Sequence, residues 1–182
     1  MSWRAPARRA LVGAALLAAA CGGSGGGGGG GTAPPQPGLT FTPAGTAGSN
    51  SIFLNRSNGA DPNLLELEVR ARQVPDLYGV AFDLEYPAAL RFDTATEGNF
   101  LNAGAMTSFQ VSSAQAGRVV VGLTRLGPAA GLSGEGVLLT LRFTATGAGS
   151  GELRFSNRSA FNSNRTLLGA VEWLGGSVTV TR

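Results

Sequence analysis

Apolar side chains in this chain recur at every second residue, and that period restricts the folds open to it. In "LLELEVRAR", Leu65, Leu67, Val69 and Ala71 fall on one side, and Glu66, Glu68, Arg70 and Arg72 on the other. "LYGVAFDLEY" sets Tyr78, Val80, Phe82, Leu84 and Tyr86 against Gly79, Ala81, Asp83 and Glu85. "GRVVVGLTR" offers Val119, Val121 and Leu123, and "GVLLTLRFTA" offers Val137, Leu139, Leu141, Phe143 and Ala145. Leu153 and Phe155, then Val178 and Val180, repeat the spacing in shorter runs. A period of two belongs to a strand with one buried and one wet face, whereas a helix repeats every three to four residues. Glycine, proline and asparagine clusters between the runs read as turns. Strands of this kind hide their apolar faces by packing one antiparallel sheet on another. The expectation is an all-β sandwich.

The stretch "VPDLYGVAFDLEYPAALRF", residues 74 to 92, shows the local logic. Pro75 fixes φ and Asp76 is placed to hydrogen-bond its own backbone, so "VPD" turns the chain into a strand. Pro87 has no N–H and ends the ladder. The large inward side chains predict a central strand, each worth about 1.5–3 kcal/mol when fully buried.

The sandwich is expected over residues 51–182, and the first fifty residues read differently. "MSWRAPARRALVGAALLAAAC" has a basic head, the apolar run Leu11–Ala20, and small residues before Cys21, the only cysteine. That is the pattern of a lipoprotein signal peptide over residues 1–20, with Cys21 as the lipidation site. Residues 21–50, rich in glycine and then proline, read as a disordered linker with an r.m.s. reach of about 30 Å. The expected product is exported and lipid-anchored to the bacterial cell envelope. Gly22, rather than Asp, follows Cys21 and points to the outer membrane or cell surface.

Composition then limits the chemistry. Of fourteen basic residues, all arginine, three leave with the signal, so eleven face eleven Asp and Glu. That balance gives no reason to expect nucleic acid or an anionic membrane surface as partner. There is no lysine and no histidine. With Cys21 acylated, Ser-His-Asp, Cys-His, Schiff-base and histidine-zinc chemistry are excluded by inventory. Only carboxylates remain for catalysis.

The order of several segments carries more than a generic sandwich. "VPDLYGVAFDLEYPAALRF", then "GRVVVGLTRLGPAAGLSGEGVLLTLRFTATGAGSGELRFSN", then "VEWLGGSVTV" resemble the cohesin domain over about residues 62 to 181. The resemblance implies a nine-stranded jelly-roll sandwich related to carbohydrate-binding-module folds. It implies a non-catalytic module that binds dockerins, small calcium-loaded helical domains, on one flat sheet face. That face would carry Gly79, Ala81, Asp83, Glu85, Ser112, Val120, Gly122, Thr124, Arg154 and Ser156. Calcium is expected on the partner in preference to this chain, for which no cofactor is expected and calcium is the one metal left open. One departure stands out: the positions matching Gly79 and Ala81 carry polar side chains in cellulosomal cohesins.

Other signals compete with this reading. Asp83 and Glu85 share a strand face about 7 Å apart, a separation that suits an inverting glycosidase, but a solvated strand face explains them equally. "NGADPN" (58–63) and "DTATEGN" (93–99) gather oxygen ligands as calcium loops do, though turn chemistry selects the same residues. Tyr78, Tyr86, Phe109 and Trp173 could form a stacking platform for a polysaccharide, the alternative functional class, although the parity of Tyr78 and Tyr86 with Phe82 points inward. Three Asn-Arg-Ser/Thr triplets, at 55–57, 157–159 and 164–166, read as loop residues.

Overall fold

The computed structural model describes residues 38–57, 59 and 61–181. The signal-like segment and Cys21 lie outside the described residues. Among the described residues, eleven strands follow one another without a helix between them: β1 Gly38–Pro43, β2 Ser51–Arg56, β3 Leu64–Arg72, β4 Leu77–Glu85, β5 Leu90–Glu97, β6 Thr107–Gln115, β7 Arg118–Arg125, β8 Glu135–Ala145, β9 Gly149–Asn162, β10 Glu172–Leu174 and β11 Gly176–Thr181. They form a six-stranded sheet, ordered β1-β11-β9-β4-β7-β6, and a five-stranded sheet, ordered β10-β2-β3-β8-β5. All pairs are antiparallel except β10 with β2.

The period-two residues meet between the sheets. Leu65, Leu67, Val69 and Ala71 of β3 are fully buried, as are Leu139, Leu141 and Phe143 of β8. Val80, Phe82 and Leu84 of β4 face them with Val119, Val121 and Leu123 of β7. Phe82 lies edge-on to Phe155 at 5.1 Å between ring centroids, and Trp173 closes the cluster 5.2 Å from Phe155. Such aromatic contacts add about 0.5–1.5 kcal/mol to area burial.

Several expectations need correction. Among the described residues the strand count is eleven, not nine, and β1 at Gly38–Pro43 lies ahead of residue 51, where the sandwich is expected to begin. Leu39 and Phe41, inside the stretch read as linker, bury themselves beside Val178 and Val180, and β1 pairs with β11 so that Gly38 stands opposite Thr181. Only two apolar residues mark that strand, too few for the period to stand out. The closing run splits into β10 and β11 at Gly175, where the chain crosses between sheets. A Cβ there would lie 2.0 Å from the Leu153 carbonyl oxygen. On β8 the core position goes to Leu138 and not Val137, because the register shifts opposite Val69 and Arg70.

Asp76 also behaves differently. Its φ is 51°, and its carboxylate reaches two other loops instead of its own backbone. Oδ1 accepts from the Gly131 N–H (3.1 Å), and Oδ2 from the Ser163 hydroxyl (2.8 Å) and N–H (3.2 Å). These bonds, the Ser163 hydroxyl first, hold the Asp76 carboxyl below its usual range. Asn55 and Asn157, read as loop residues, lie in β2 and β9.

The outer face of the five-stranded sheet is a ladder of ion pairs. Glu66 pairs with Arg142, Glu68 with Arg70, and Arg72 with Glu135. Arg72 also lies 5.1 Å over the Phe53 ring. Surface pairs of this kind add about 0–1 kcal/mol each, and they leave this face without free charge at those positions.

Candidate functional site: the outer face of β9, β4, β7 and β6

Directly opposed residues in an antiparallel ladder point to the same side of the sheet, so register alone places the site. Four rungs cross β9, β4, β7 and β6 in turn. The first is Arg154, Glu85, Arg118 and Gln115, and the second is Ser156, Asp83, Val120 and Ser112. The third is Ser159, Ala81, Gly122 and Gln110, and the fourth is Phe161, Gly79, Thr124 and Ser108. All ten predicted residues therefore share one face. Six further ones complete it: Ser108, Gln110, Gln115, Arg118, Ser159 and Phe161.

Gln115 lies beyond a register break after Ser112, while Ser108, Gln110 and Arg118 extend the alternation along β6 or β7. Ser159 and Phe161 do not, because β9 carries an extra residue between Ser156 and Ser159. Strict alternation from Arg154 and Ser156 would put Arg158 and Ala160 outside, yet Ala160 is buried. The bulge is seated by Asn157, with φ of 46°, whose side-chain amide donates to Asp83 Oδ2 at 2.7 Å. An inserted residue flips the parity of everything after it.

The charges on the face are fixed in pairs. Arg154 Nη2 donates to Glu85 Oε2 and the Ser156 hydroxyl to Glu85 Oε1, both at 2.8 Å. The Arg154 bond, with that of Ser156, holds the Glu85 carboxyl below its usual range, and Glu85 in turn raises Arg154. Asp83 is only 7% exposed and receives Asn157 and, at 3.4 Å, Arg118 Nη1. Each carboxylate is thus engaged by its own cation on a separate strand.

Beside these pairs the face is bare. Gly79, Ala81 and Gly122 floor a shallow depression of about 390 Å³, walled by Ser108, Gln110, Thr124 and Phe161. Neither Asp83 nor Glu85 lines it. Val120 stands next to it, 41% exposed. Gly79 has a steric cause: a Cβ there would lie 2.8 Å from Thr124 Oγ1 and 3.1 Å from the Leu123 carbonyl oxygen. Gly122 has none, since nothing lies within 4 Å of its would-be Cβ.

The competing signals resolve into packing. Tyr78 is 6% exposed, and its hydroxyl donates to the Gly127 carbonyl oxygen at 2.8 Å. Tyr86 meets Phe143 at a tilt, Trp173 packs at steep angles on Phe82 and Phe155, and Phe109 packs against the core. These four aromatics do not form an outward platform. In the loops, Asp61 Oδ1 accepts from the Asn63 N–H at 2.8 Å, a turn closure. Asp93 takes the Thr144 hydroxyl and Arg91, and Glu97 takes the Thr107 hydroxyl at 2.6 Å. Among the described residues, no three acidic or thiol side chains gather around a point that could hold a metal ion.

No family model matches the chain, and no curated protein matches it. Solved structures do. A type II cohesin module from an adaptor scaffoldin of Acetivibrio cellulolyticus superimposes with a TM-score of 0.59 at 10% identity, covering 72% of this chain and 90% of that one. The non-cellulosomal cohesin of the archaeon Archaeoglobus fulgidus gives 0.51 at 18% identity, covering 77% and 88%. The sixth cohesin of scaffoldin B from Acetivibrio cellulolyticus, solved in complex with a dockerin, gives 0.54 at 17% identity, covering 75% and 96%. At such identities the likeness establishes the fold: this is a cohesin-like sandwich.

Proposed function

We propose that the outer face of β9, β4, β7 and β6 docks a folded protein partner, of the dockerin type or another surface protein, and that the domain performs no bond-making of its own. The observation that carries this reading is the bare depression over Gly79, Ala81 and Gly122 next to the exposed Val120. Flat, partly apolar ground flanked by fixed ion pairs is pre-organised for a partner, because few side chains need to be immobilised on contact. The cohesin solved with a dockerin supports the choice of partner class. Neither Gly79 nor Ala81 can offer a side-chain hydrogen bond, so the partner must meet this ground by shape. Calcium belongs to the partner in this reading.

The test is binding of the chain to a panel of calcium-loaded dockerin modules, including any encoded by the same genome. Saturable binding is expected, lost on chelation and weakened roughly tenfold or more by Val120→Arg, which sets an unpaired cation on the contact. Absence of binding at micromolar concentration across the panel removes the dockerin version. Binding that ignores Val120→Arg removes the face.

We further infer that Cys21 carries a thioether-linked lipid and that the domain is displayed from the envelope on the glycine-rich segment. The signal-like sequence before Cys21 supports this. Mass spectrometry of the mature N-terminus is the check; an N-terminus without acyl chains overturns the anchoring.

A further inference from the structure

An open sandwich has edge strands, and an exposed edge presents unpaired N–H and C=O groups to any extended chain. The edges here are β1 and β6 in one sheet and β10 and β5 in the other. Three are blunted. β1 is short and ends at Pro43, and Arg56 Nη1 donates to its Leu39 carbonyl at 2.6 Å. β10 has three residues. β5 carries Arg91, Asp93 and Glu97, and its register breaks between Phe92 and Thr94. β6 has none of these defences over most of its length. It reads TSFQVSSAQ, without a charge or a proline, and its register breaks only after Ser112.

The ladder shows which of its backbone groups are open. The Leu126 N–H donates to the Met106 carbonyl at 2.8 Å, one step before the first β6–β7 pair, Thr107 with Arg125. Hydrogen-bonded and non-hydrogen-bonded pairs alternate in an antiparallel ladder. The pairs Ser108–Thr124, Gln110–Gly122 and Ser112–Val120 are therefore the bonded ones. The N–H and C=O groups of Thr107, Phe109 and Val111 point out of the sheet edge. Thr107 is covered by β5, since its hydroxyl donates to Glu97 Oε1. That leaves Phe109 and Val111, whose side chains pack on the core while their main chains face outward.

We propose that this edge pairs with the same edge of a second copy, antiparallel, about a two-fold axis through Gln110. Phe109 of each copy then stands opposite Val111 of the other, and the two open residues exchange both hydrogen bonds. Aromatic and β-branched residues are favourable cross-strand neighbours. Ser108 faces Ser112, and Gln110 faces its own copy across the axis. The charge pattern permits self-pairing here. The uncharged β6 brings no like charges together under a two-fold, whereas β5 carries Arg91, Asp93 and Glu97 along its length. A strand pair buries less than the roughly 1,000 Å² of a stable interface, so the dimer is weak, with dissociation in the micromolar to millimolar range. It fuses two six-stranded sheets into one and puts both candidate docking faces on the same side.

The test needs no partner, so it stands apart from the docking proposal. In the full chain carrying Cys21→Ser, Gln110→Cys is compared with Ser112→Cys, both positions being exposed. At the axis, the two Cα atoms at position 110 lie about 4.5 Å apart, within disulfide reach; those at 112 lie about 13 Å apart, beyond it. Oxidation is expected to cross-link the Gln110→Cys chain roughly tenfold or more faster than the control. Sedimentation equilibrium is expected to show a concentration-dependent dimer that Gln110→Lys removes while leaving the unfolding midpoint in place. Equal cross-linking rates, or a dimer indifferent to Gln110→Lys, overturns the proposal.

Discussion

Gly79→Ala sets two physical effects against each other on the candidate face. Replacing glycine by alanine where the backbone permits it stabilises a protein by about 0.4–1 kcal/mol, because the unfolded chain loses freedom. Gly79 is not among the residues with positive φ, so that argument alone predicts a more stable protein. The structure argues the other way. The added Cβ would meet Thr124 Oγ1 at 2.8 Å, Thr124 Cβ at 3.0 Å and the Leu123 carbonyl oxygen at 3.1 Å. The last atom belongs to the backbone of a central strand and cannot yield without moving β7. Overpacking of this sort costs about 1–3 kcal/mol, so the net expectation is destabilisation of about 0.5–2 kcal/mol. Thr124→Gly removes two of the three close atoms and leaves the Leu123 carbonyl, so in that background Gly79→Ala should cost less while still costing something, giving a coupling of about 1 kcal/mol. Urea unfolding followed by tryptophan fluorescence measures it, since Trp173 packs against Phe82 and Phe155. A Gly79→Ala protein more stable than the parent, or additive single and double changes, would refute the steric account. Thr124 fills the space that a side chain at position 79 would need.

Three further outcomes are expected. Phe82→Ala, at a fully buried residue, should lower unfolding free energy by about 3–5 kcal/mol, read from urea midpoints. Gly122→Trp enters open space, so stability should stay within about 0.5 kcal/mol while partner binding falls roughly tenfold in a titration. Asp76 is held below its ordinary pKa in the folded state, so its contribution is present above the unfolded value of about 3.9 and fades as pH falls through the folded one. Asp76→Asn should therefore flatten the loss of stability below about pH 4, measured by urea unfolding across the acid range.

The β-class of the fold and most of the core were legible because burial repeats every second residue in β3, β4, β7 and β8, and that signal survives in a single sequence. The outward direction of the ten face positions was legible as the other half of the alternation, while their grouping on one sheet came from the resemblance. What escaped depends on contacts distant in the chain. Leu39 and Phe41 have meaning only beside β11. Leu138 and Val137 exchange roles through a bulge set by β3. Phe161 reaches the face because Asn157 finds Asp83, seventy-four residues away. Alternation predicts direction only until the first inserted residue. Asp76 was placed in a turn correctly, but its carboxylate found partners in two loops that no local rule connects to it.

The pairing of Gly38 with Thr181 sets the two ends of the sandwich about 5 Å apart. With the anchoring proposed above, a module whose two ends coincide hangs from its attachment like a pendant, with no through-path for tension between those ends. Pulling on the Gly38 end loads β1 alone, an edge ribbon that would detach first while β9, β4 and β7 keep their arrangement. Under the docking proposed above, a held partner keeps its face when one peripheral strand is lost.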